Sequence, residues 1–596
     1  MAVALSAGSA GSAGSASAAD SIKGQVLGAG APIAKSTVTL WAAGAGAPVQ
    51  IAHTPTGTDG QFEMTIQRSA GEDSVLYLVA AGGEPAAGEG GGANEAIALL
   101  AVLGSKLPAK VTVNELTTVA SAFTAAQFLE GGALKGPPLG LKIAAGNVPN
   151  LVDLETGGLG PVIQDSLNSA ATTTLATFGT LGDLLAGCVA RVHTDACATV
   201  FAAATPPGEA APKNTLAAAV AIARHPWYHP GKLFQAFQAL YPAGKYPGTR
   251  AVPFQPYLSF APGDWTLALT YAGGGLNSLG GVAIDGEGNA WAADNFLVGT
   301  QSTLYNSVGG GLSELAPNGR PISPMTFGFT GGGVNLPGFG LAIAADNKVW
   351  ITSLQSKTIS TFDRKTGKPL SPPDGYNFGG TLGAMQGIIT TPSGDVWAVD
   401  NDKSQIVYLP KGDPSKGRVL CVTVDGKSAD GTCQVDGPFH LAIDQQDRIW
   451  ITNANSGTVT RFPASDPSKA EVIKVEFSPK AIAIDSKGNA WVNNAVGSPG
   501  VWEKLHLLSA KVSAKFKPSG GNNQVEVFHS LFEILSAYPG GNVSLLGPDG
   551  KEAPGSPFDG GKSIYAPWGN AIDGNDNLWV ANGAGHSITE LCGVRT

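Results

Sequence analysis

The C-terminal half of the sequence repeats one pattern six times: an apolar pair, a polar turn and then a tryptophan. Clear copies read VAIDGEGNAWAADN at 282–295 and LAIDQQDRIWITNAN at 441–455. Each copy predicts two short antiparallel strands, because Gly, Asn and Asp supply the backbone angles of tight turns. A unit of this size cannot bury both of its faces alone, so the copies must pack against one another. The six tryptophans are Trp291, Trp350, Trp397, Trp450, Trp491 and Trp579.

A third apolar segment follows each tryptophan, and often a fourth, as at 358–362 and 458–462. Units of four antiparallel strands, repeated six times, are typical of a closed β-propeller. The overall prediction is a multidomain, mainly β protein. A six-bladed propeller over residues 264–596 follows a small β-sandwich and a small α-helical domain.

Closure of the ring requires one strand from each end of the repeat region. The segment 265–271 has no hairpin partner of its own, so we expect it to complete the blade that ends at 587–591, which removes an open sheet edge. The longest interval between repeat tryptophans, from Trp491 to Trp579, predicts an insertion at about 505–540 with a short helix at 524–536. A degenerate seventh blade in this interval is the alternative.

The repeated AID-turn-W pattern resembles the NHL-repeat propellers and the related virginiamycin B lyase-like (streptogramin lyase) family. The likeness covers about residues 264–596. It implies the propeller fold, but it does not choose among the many activities that propellers carry.

The N-terminal half predicts two smaller domains. Residues 21–83 read as short strands, and TDGQF at 58–62 resembles a hairpin of carboxypeptidase regulatory-like β-sandwiches, with one residue fewer. Residues 94–245 predict a helical domain, in which Thr112 and Glu115 form a capping-box pattern. The order of sandwich, helical segment with VNELTTVAS, and propeller resembles uncharacterised multidomain NHL proteins of bacterial envelopes. This implies a secreted, periplasmic or cell-surface location in a bacterium.

Charge and apolar run lengths exclude two classes of partner. The formal net charge is −9, and no basic run is interleaved with aromatic residues, so nucleic-acid binding is not expected. The longest apolar stretches are too short to span a bilayer. Residues 1–20 are almost only Ala, Gly and Ser, and we interpret them as a flexible leader.

The five cysteines predict two local disulfides. Cys188 lies near Cys197 in the sequence, Cys421 lies near Cys433, and neither pair has the spacing of a metal site. Five inert thiols are the alternative. The remaining Cys592 is free or joins another chain, so self-association through it or through the leader is conceivable.

The repeat geometry gathers scattered residues on one face of the predicted ring. Residues just before AID and residues just after Trp share that face, because an antiparallel hairpin returns the chain to the rim from which it came. Carboxamides there can hydrogen-bond a glycan, a peptide or another protein, although such Asn and Asp residues also stabilise turns. The predicted face residues are Asp294, Asn295, Gln386, Asp400, Asn401, His440, Asn453, Asn455, Lys480, Asn493, Asn494, Trp568, Asn570 and Asn582.

No complete catalytic set is visible in the sequence. The resemblance to virginiamycin B lyase-like enzymes implies His and Glu residues with a magnesium ion, but no Glu occupies the matching positions after Trp. Asp294, Asp400 and His440 are weak candidates for a divalent cation on the propeller axis, and no other cofactor is predicted. We therefore expect a non-catalytic binding or scaffold protein. The alternatives are a metal-assisted lyase or lactonase and a structural subunit of an extracellular assembly.

Overall fold

The computed structural model describes residues 21–66, 71, 73–88, 91–245, 249–276, 279–294, 310–421, 434–496, 540–573, 576–583 and 587–591. The chain forms two compact units that divide between Tyr271 and Ala272. The first unit combines strands with helices, and the second is built of antiparallel sheets, so the protein is mainly β. No helix within these ranges is long and apolar enough to cross a membrane.

Two sheets that share one apolar core form the start of the first unit. One sheet has the strand order β4-β3-β6-β8, and the other has the order β5-β1-β2-β7, with β9 parallel to β1. Their facing residues include Val26, Leu40, Leu78 and Val111, all buried. A two-strand hairpin, β10 and β11, follows. The strands are β1 (Ser21–Gly28), β2 (Ala31–Ala34), β3 (Thr37–Ala43), β4 (Val49–Pro55), β5 (Gln61–Thr65), β6 (Val75–Ala81), β7 (Glu84–Pro85), β8 (Ala98–Gly104), β9 (Lys110–Val113), β10 (Leu129–Glu130) and β11 (Ala133–Leu134).

The helices of the first unit pack on a second apolar core. Cys188 in α5 and Cys197 in α6 form a disulfide, as their spacing predicts, whereas Cys433 and Cys592 lie outside the described residues. The helices are α1 (Glu115–Ala125), α2 (Pro138–Leu151), α3 (Pro161–Gln164), α4 (Ser166–Ser169), α5 (Thr174–Ala190), α6 (Ala196–Ala204), α7 (Thr215–Arg224) and α8 (Pro230–Leu240).

The start of α1 differs from the predicted capping box. Asn114 is the N-cap: its side chain accepts the backbone N–H of Thr117, and the Thr117 hydroxyl accepts the backbone N–H of Asn114. The motif is therefore displaced by two residues from Thr112 and Glu115. Asn is as effective an N-cap as Ser, and a Thr hydroxyl can replace the usual Glu in the return bond.

The segment 265–271 is not a strand of the second unit, which corrects the predicted ring closure. Trp265 is fully buried in the helical core, and its indole N–H donates to the Pro230 carbonyl at 3.1 Å. The backbone of Thr270 exchanges two hydrogen bonds with the Asn168 side chain, at 2.7 and 3.0 Å. Helices and side chains therefore satisfy a segment whose alternating pattern fits a strand equally well.

Six antiparallel sheets of three or four strands, here called the repeat sheets, form the second unit. The first strands follow one another in chain order: β12 lies against β15, β15 against β18, β18 against β22, β22 against β26, and β26 against β29. The predicted insertion and its helix lie outside the described residues. The sheets are β12 (Leu279–Ile284), β13 (Ala290–Asp294), β14 (Leu312–Leu315); β15 (Pro337–Ile343), β16 (Lys348–Ser353), β17 (Thr358–Asp363); β18 (Met385–Thr390), β19 (Val396–Asp400), β20 (Gln405–Leu409), β21 (Arg418–Leu420); β22 (Pro438–Ile443), β23 (Arg448–Asn453), β24 (Thr458–Pro463), β25 (Glu471–Lys474); β26 (Phe477–Ile484), β27 (Ala490–Val496), β28 (Asn542–Leu546); and β29 (Pro567–Ile572), β30 (Leu578–Asn582), β31 (Ser587–Leu591).

The Asp and Trp of the repeated pattern are joined by a hydrogen bond. In the fourth sheet the indole N–H of Trp450 donates to the Asp444 carboxylate at 2.7 Å, and Asp444 also accepts the backbone N–H groups of its own turn. The first, fifth and sixth sheets contain the same pair. The second and third have Ala344 and Thr391 instead of Asp. One carboxylate thus fixes both the turn and the orientation of the tryptophan.

Each of the first five repeat tryptophans packs between its own sheet and the next one along the chain. Trp397, for example, shares a core with Leu441 and Ile449 of the fourth sheet. Five of the six are almost fully buried, whereas Trp579 of the last sheet is 39% exposed. At the other end, Val282 of the first sheet is also exposed. Five interfaces between repeat sheets are therefore filled, and the outer faces of the first and last sheets retain apolar surface.

Candidate functional site

A β-bulge interrupts the first strand of every repeat sheet at the same place. In the fourth sheet the register shifts between Pro438 and Leu441, and in the fifth between Pro479 and Ile482. A bulge bends its strand and can direct a side chain away from the sheet. One residue at each bulge lies eleven positions before the repeat tryptophan, and we call this the central position. Its occupants are Gly280, Phe339, Gln386, Phe439, Lys480 and Trp568.

The central positions of alternate sheets converge. The ring centroids of Phe339 and Phe439 lie 5.3 Å apart, and each lies 5.8 Å from the ring of Trp568. Phe439 and Trp568 meet edge to face, an arrangement that aromatic pairs favour. These three residues come from the second, fourth and sixth sheets. Side chains far apart in the sequence therefore form a single aromatic cluster.

Small residues next to the central position allow this convergence. A Cβ atom added to Gly281 would lie 2.6 Å from the Phe339 carbonyl oxygen, and one added to Gly387 would lie 2.9 Å from that of Phe439. Gly340 faces Gln386 in the same way. Glycine is required here because the backbones of neighbouring first strands approach too closely for a side chain.

Lys480 completes the central cluster, which we define as Phe339, Phe439, Lys480 and Trp568. Its Nζ atom lies 4.4 Å from the ring centroid of Phe439 and 4.9 Å from that of Trp568. Aromatic faces attract a cation in this geometry. The amine nevertheless has no carboxylate partner among the described residues, and burial lowers its pKa to about 8. Lys480 is thus a partly buried amine that lies over two rings and has no counter-ion within the described residues.

Two further central side chains have polar atoms without partners. The indole N–H of Trp568 and the Oε1 atom of Gln386 are both buried, and neither has a hydrogen-bond partner within the described part of the chain. Such groups are costly in a folded protein and are normally satisfied. The centre of the repeat sheets therefore presents a donor and an acceptor in addition to the Lys480 amine.

His440 and Asn570 contact neighbouring sheets beside the central position. Burial lowers the pKa of His440 to about 4, although a hydrogen bond to the backbone of Ile482 opposes this, so its imidazole is neutral at pH 7. Asn570 donates to the Asn493 side chain and to the Trp491 carbonyl, both at 3.1 Å. His440 therefore joins the first strands of the fourth and fifth sheets, whereas Asn570 joins the first strand of the sixth sheet to the second strand of the fifth.

The polar residue three positions after each repeat tryptophan holds its own sheet together. Asp400 accepts the backbone N–H of Gly383 at 2.6 Å and the side-chain N–H of Gln405 at 2.8 Å, and it is fully buried. Asn453 donates to the Thr460 hydroxyl at 2.9 Å. These bonds indicate that the Asp, Ser and Asn residues at this position stabilise their own sheets. The equivalent bonds elsewhere are Ser313 to Asp294, Asn335 to Ser353, Asn494 to Ser544, and Asn582 to Thr589.

The remaining predicted face residues differ in their surroundings. Asn401 donates to a carbonyl of β22 at 3.3 Å, and Asn493 donates to the Gly569 carbonyl at 2.9 Å, so both link adjacent sheets. Asn455 is exposed and contacts Asp436. Asn295 lies outside the described residues.

The structure does not bring the weak cation candidates Asp294, Asp400 and His440 together. Within the described ranges, no group of three His, Cys, Asp or Glu side chains has an arrangement that could hold a metal ion. The two carboxylates bond to groups of their own sheets, and His440 lies between the fourth and fifth sheets.

Sequence reasoning found Gln386, Lys480 and Trp568 but missed Phe339, Phe439 and Gly280. The two phenylalanines lie in apolar strands, where a buried structural role is the ordinary expectation. The signal that identifies them is their register, because all six residues lie at one fixed distance before a repeat tryptophan.

Comparison with known proteins gave matches only among solved structures. No protein-family model matches this sequence, and a search of curated proteins gave no match. Among solved structures, the chain is similar to a catalytically inactive virginiamycin B lyase from Staphylococcus aureus, with 14% identity, a TM-score of 0.34, and 53% of this chain and 82% of that chain covered. A gluconolactonase from Xanthomonas campestris has 13% identity and a TM-score of 0.32, with 53% and 86% covered. The Nidogen/Laminin complex has 14% identity and a TM-score of 0.29, with 48% and 87% covered. These propeller-like neighbours carry no argument about activity.

Proposed function

We propose that the repeat sheets form a six-bladed propeller whose central position binds a ligand, and that the protein is an exported or cell-surface binding protein. The observation that carries the proposal is the convergence of Phe339, Phe439 and Trp568 from three different sheets. Aromatic walls with a few polar groups are typical of sites for glycans and peptides. The Cys188–Cys197 disulfide is compatible with an oxidising compartment.

A binding role has more support than a metal-assisted lyase or lactonase. The polar residues after each tryptophan bond within their sheets, and His440 is a neutral imidazole whose pKa of about 4 is too low for a general base near pH 7. Within the described residues, the central groups that lack a hydrogen-bond partner are the Trp568 indole N–H, the carboxamide oxygens of Gln386 and Asn570 and the Nδ1 atom of His440. Together with the Lys480 amine, such groups can bind and orient a ligand. The role of Cys592 and of the leader in an extracellular assembly stays a prediction.

The proposal is tested with a panel of neutral oligosaccharides and blocked peptides, using the shift in melting temperature and then titration calorimetry. We expect a ligand from this panel to bind the wild-type chain and to lose at least tenfold in affinity on Trp568→Ala. Trp227→Ala is the matched control, because Trp227 is 58% exposed in the first unit. Equal loss in both variants, or binding that Trp568→Ala leaves unchanged, contradicts the proposal. Turnover of a bound lactone would support the enzyme instead.

A further inference from the structure

Lys480 is the most unusual group in the second unit, because neither the fold nor a neighbour accounts for its charge. It occupies the same position as Gly280 in the first sheet and Gln386 in the third. The sheets therefore form with or without a cation at this place. Partial burial of an ammonium group that has no counter-ion within the described residues is unfavourable, and attraction to two aromatic rings offsets only part of this cost.

The surroundings of Lys480 specify which partner would complete the site. Its Nζ atom lies above the faces of Phe439 and Trp568, which can hold an apolar group but cannot accept a strong hydrogen bond. The nearby Trp568 indole N–H also has no acceptor within the described part of the chain. Two donors beside apolar rings are complementary to an oxygen anion attached to an apolar body.

We propose that the central cluster binds the carboxylate of an organic acid, with Lys480 as its counter-ion and the rings of Phe439 and Trp568 against its apolar part. The inference rests on the proposed function and adds the ligand class. The carboxylate belongs either to the C-terminus of a peptide or to a sugar acid, and both supply two acceptor oxygens next to an apolar surface. A charge-assisted hydrogen bond to this partly buried lysine provides the selectivity over neutral analogues.

The experiment measures binding of matched acids and neutral analogues to the full chain by titration calorimetry at pH 7. The peptide arm compares N-acetyl-L-phenylalanine with its amide, and the sugar arm compares D-glucuronate with its methyl ester. We expect one of the two acids to bind at least about tenfold more tightly than its neutral analogue. A hydrogen bond to a charged group is worth about 1.5–3 kcal/mol, which corresponds to about a tenfold to hundredfold change in affinity.

Two variants separate recognition of the carboxylate from a structural effect. Lys480→Met keeps an unbranched apolar side chain but removes the terminal amine, and we expect it to lose about tenfold to a hundredfold in affinity for the acid while affinity for the neutral analogue stays unchanged. The same variant should melt at a higher temperature than the wild type, because it removes a partly buried amine that has no counter-ion within the described residues. Lys474→Met on the exposed side of β25 is the control and should change neither quantity.

The outcomes distinguish this inference from the proposed function. Equal affinity for acid and neutral analogue, with Lys480→Met unaffected, overturns the carboxylate assignment but leaves a binding site that Trp568→Ala would remove. Absence of binding by both acids also overturns the assignment. Lower thermal stability of Lys480→Met, together with parallel losses for acid and neutral analogue, would make Lys480 structural and would equally refute it.

Discussion

Two buried carboxyl groups make the stability of the first unit depend on pH. Glu115, the first residue of α1, has no exposed surface; its Oε1 atom accepts the backbone N–H of Ala29 at 2.8 Å, and its Oε2 atom has no partner within the described residues. Burial raises the pKa of Glu115 to about 7. Burial, with a smaller contribution from the Glu115 charge, raises the pKa of Asp183 as well. Both groups are therefore protonated in the folded protein at pH values where the unfolded chain is ionised.

The sign and size of the effect follow from proton linkage. Between pH 4.5 and 7 the folded chain retains a proton on Glu115 that the unfolded chain has lost, so the free energy of unfolding falls as pH rises. A rise in pKa from 4.5 to about 7 corresponds to a loss of about 3 kcal/mol by pH 8. The positive end of α1 favours the carboxylate by up to about 2 kcal/mol, which is smaller than the effect of burial and does not reverse the direction. The raised pKa of Asp183 acts in the same direction.

Glu115→Gln tests this reasoning, because glutamine retains an oxygen for the Ala29 N–H group and cannot ionise. We expect the variant to unfold with about 3 kcal/mol more free energy than the wild type at pH 8 and with a similar free energy at pH 4.5. Hydrogen exchange of the α1 backbone, measured across a urea series at each pH, reports on this unit within the full chain. Glu130→Gln is the exposed control. A wild-type stability that stays constant from pH 5 to 8, or a Glu115→Gln effect that is independent of pH, refutes the argument.

Three further predictions concern the repeat sheets. Trp450→Ala should reduce the free energy of urea unfolding by about 3–5 kcal/mol, and Trp579→Ala by about half as much, because Trp579 is partly exposed. Equal reductions for the two variants would show that the outer face of the last sheet is covered in solution. In the same assay, Gly340→Ala should lower the free energy of unfolding by at least about 1–3 kcal/mol, because its Cβ atom would overlap the Gln386 backbone. Gly286→Ala places its Cβ atom in open space and should change the free energy of unfolding by no more than about 0.5 kcal/mol. Lys480 should be acetylated faster than the other lysines at pH 8 in a peptide-resolved mass assay, because about half of the Lys480 amine is neutral at that pH, against under about 1% of an ordinary lysine amine. An acetylation rate no higher than that of Lys474 would contradict this prediction.

The features that were predicted correctly from the sequence depend on interactions between residues that are close together in the chain. The six hairpins depend on Gly, Asn and Asp in their turns, and in four copies the Asp and Trp interact across only a few residues, as Asp444 and Trp450 do. Segments without such local signals were misassigned. The run at 98–104 lies within the range 94–245 that was predicted as helical, yet it forms strand β8, because a short continuous apolar run fits a buried strand and a buried helix equally.

Long-range packing decided the remaining errors. The segment 265–271 has the alternation of a strand, but the helical core provides a buried site for Trp265, and Asn168 supplies the hydrogen bonds that a strand partner would have made. The face residues follow the same logic. Asn453 and Asp400 were correctly placed just after a tryptophan, but the sequence cannot show that their partners lie within the same sheet.

The identity of the residue at the central position is not determined by the fold, unlike that of the recurring residues around it. Three features recur along the repeats: a hydrogen bond that Trp donates to Asp, a polar residue after Trp, and a small residue beside the bulge. Each of them fixes a strand or a close approach between strands. The central position has no such constraint, since Gly280, Gln386 and Lys480 occupy it in different sheets on the same backbone pattern. Lys480 is not required by the fold, has no counter-ion within the described residues and lies against two aromatic faces, and these features support the proposed ligand site. Function in this protein should therefore be sought at Lys480 rather than among the more numerous Asn and Asp residues around it.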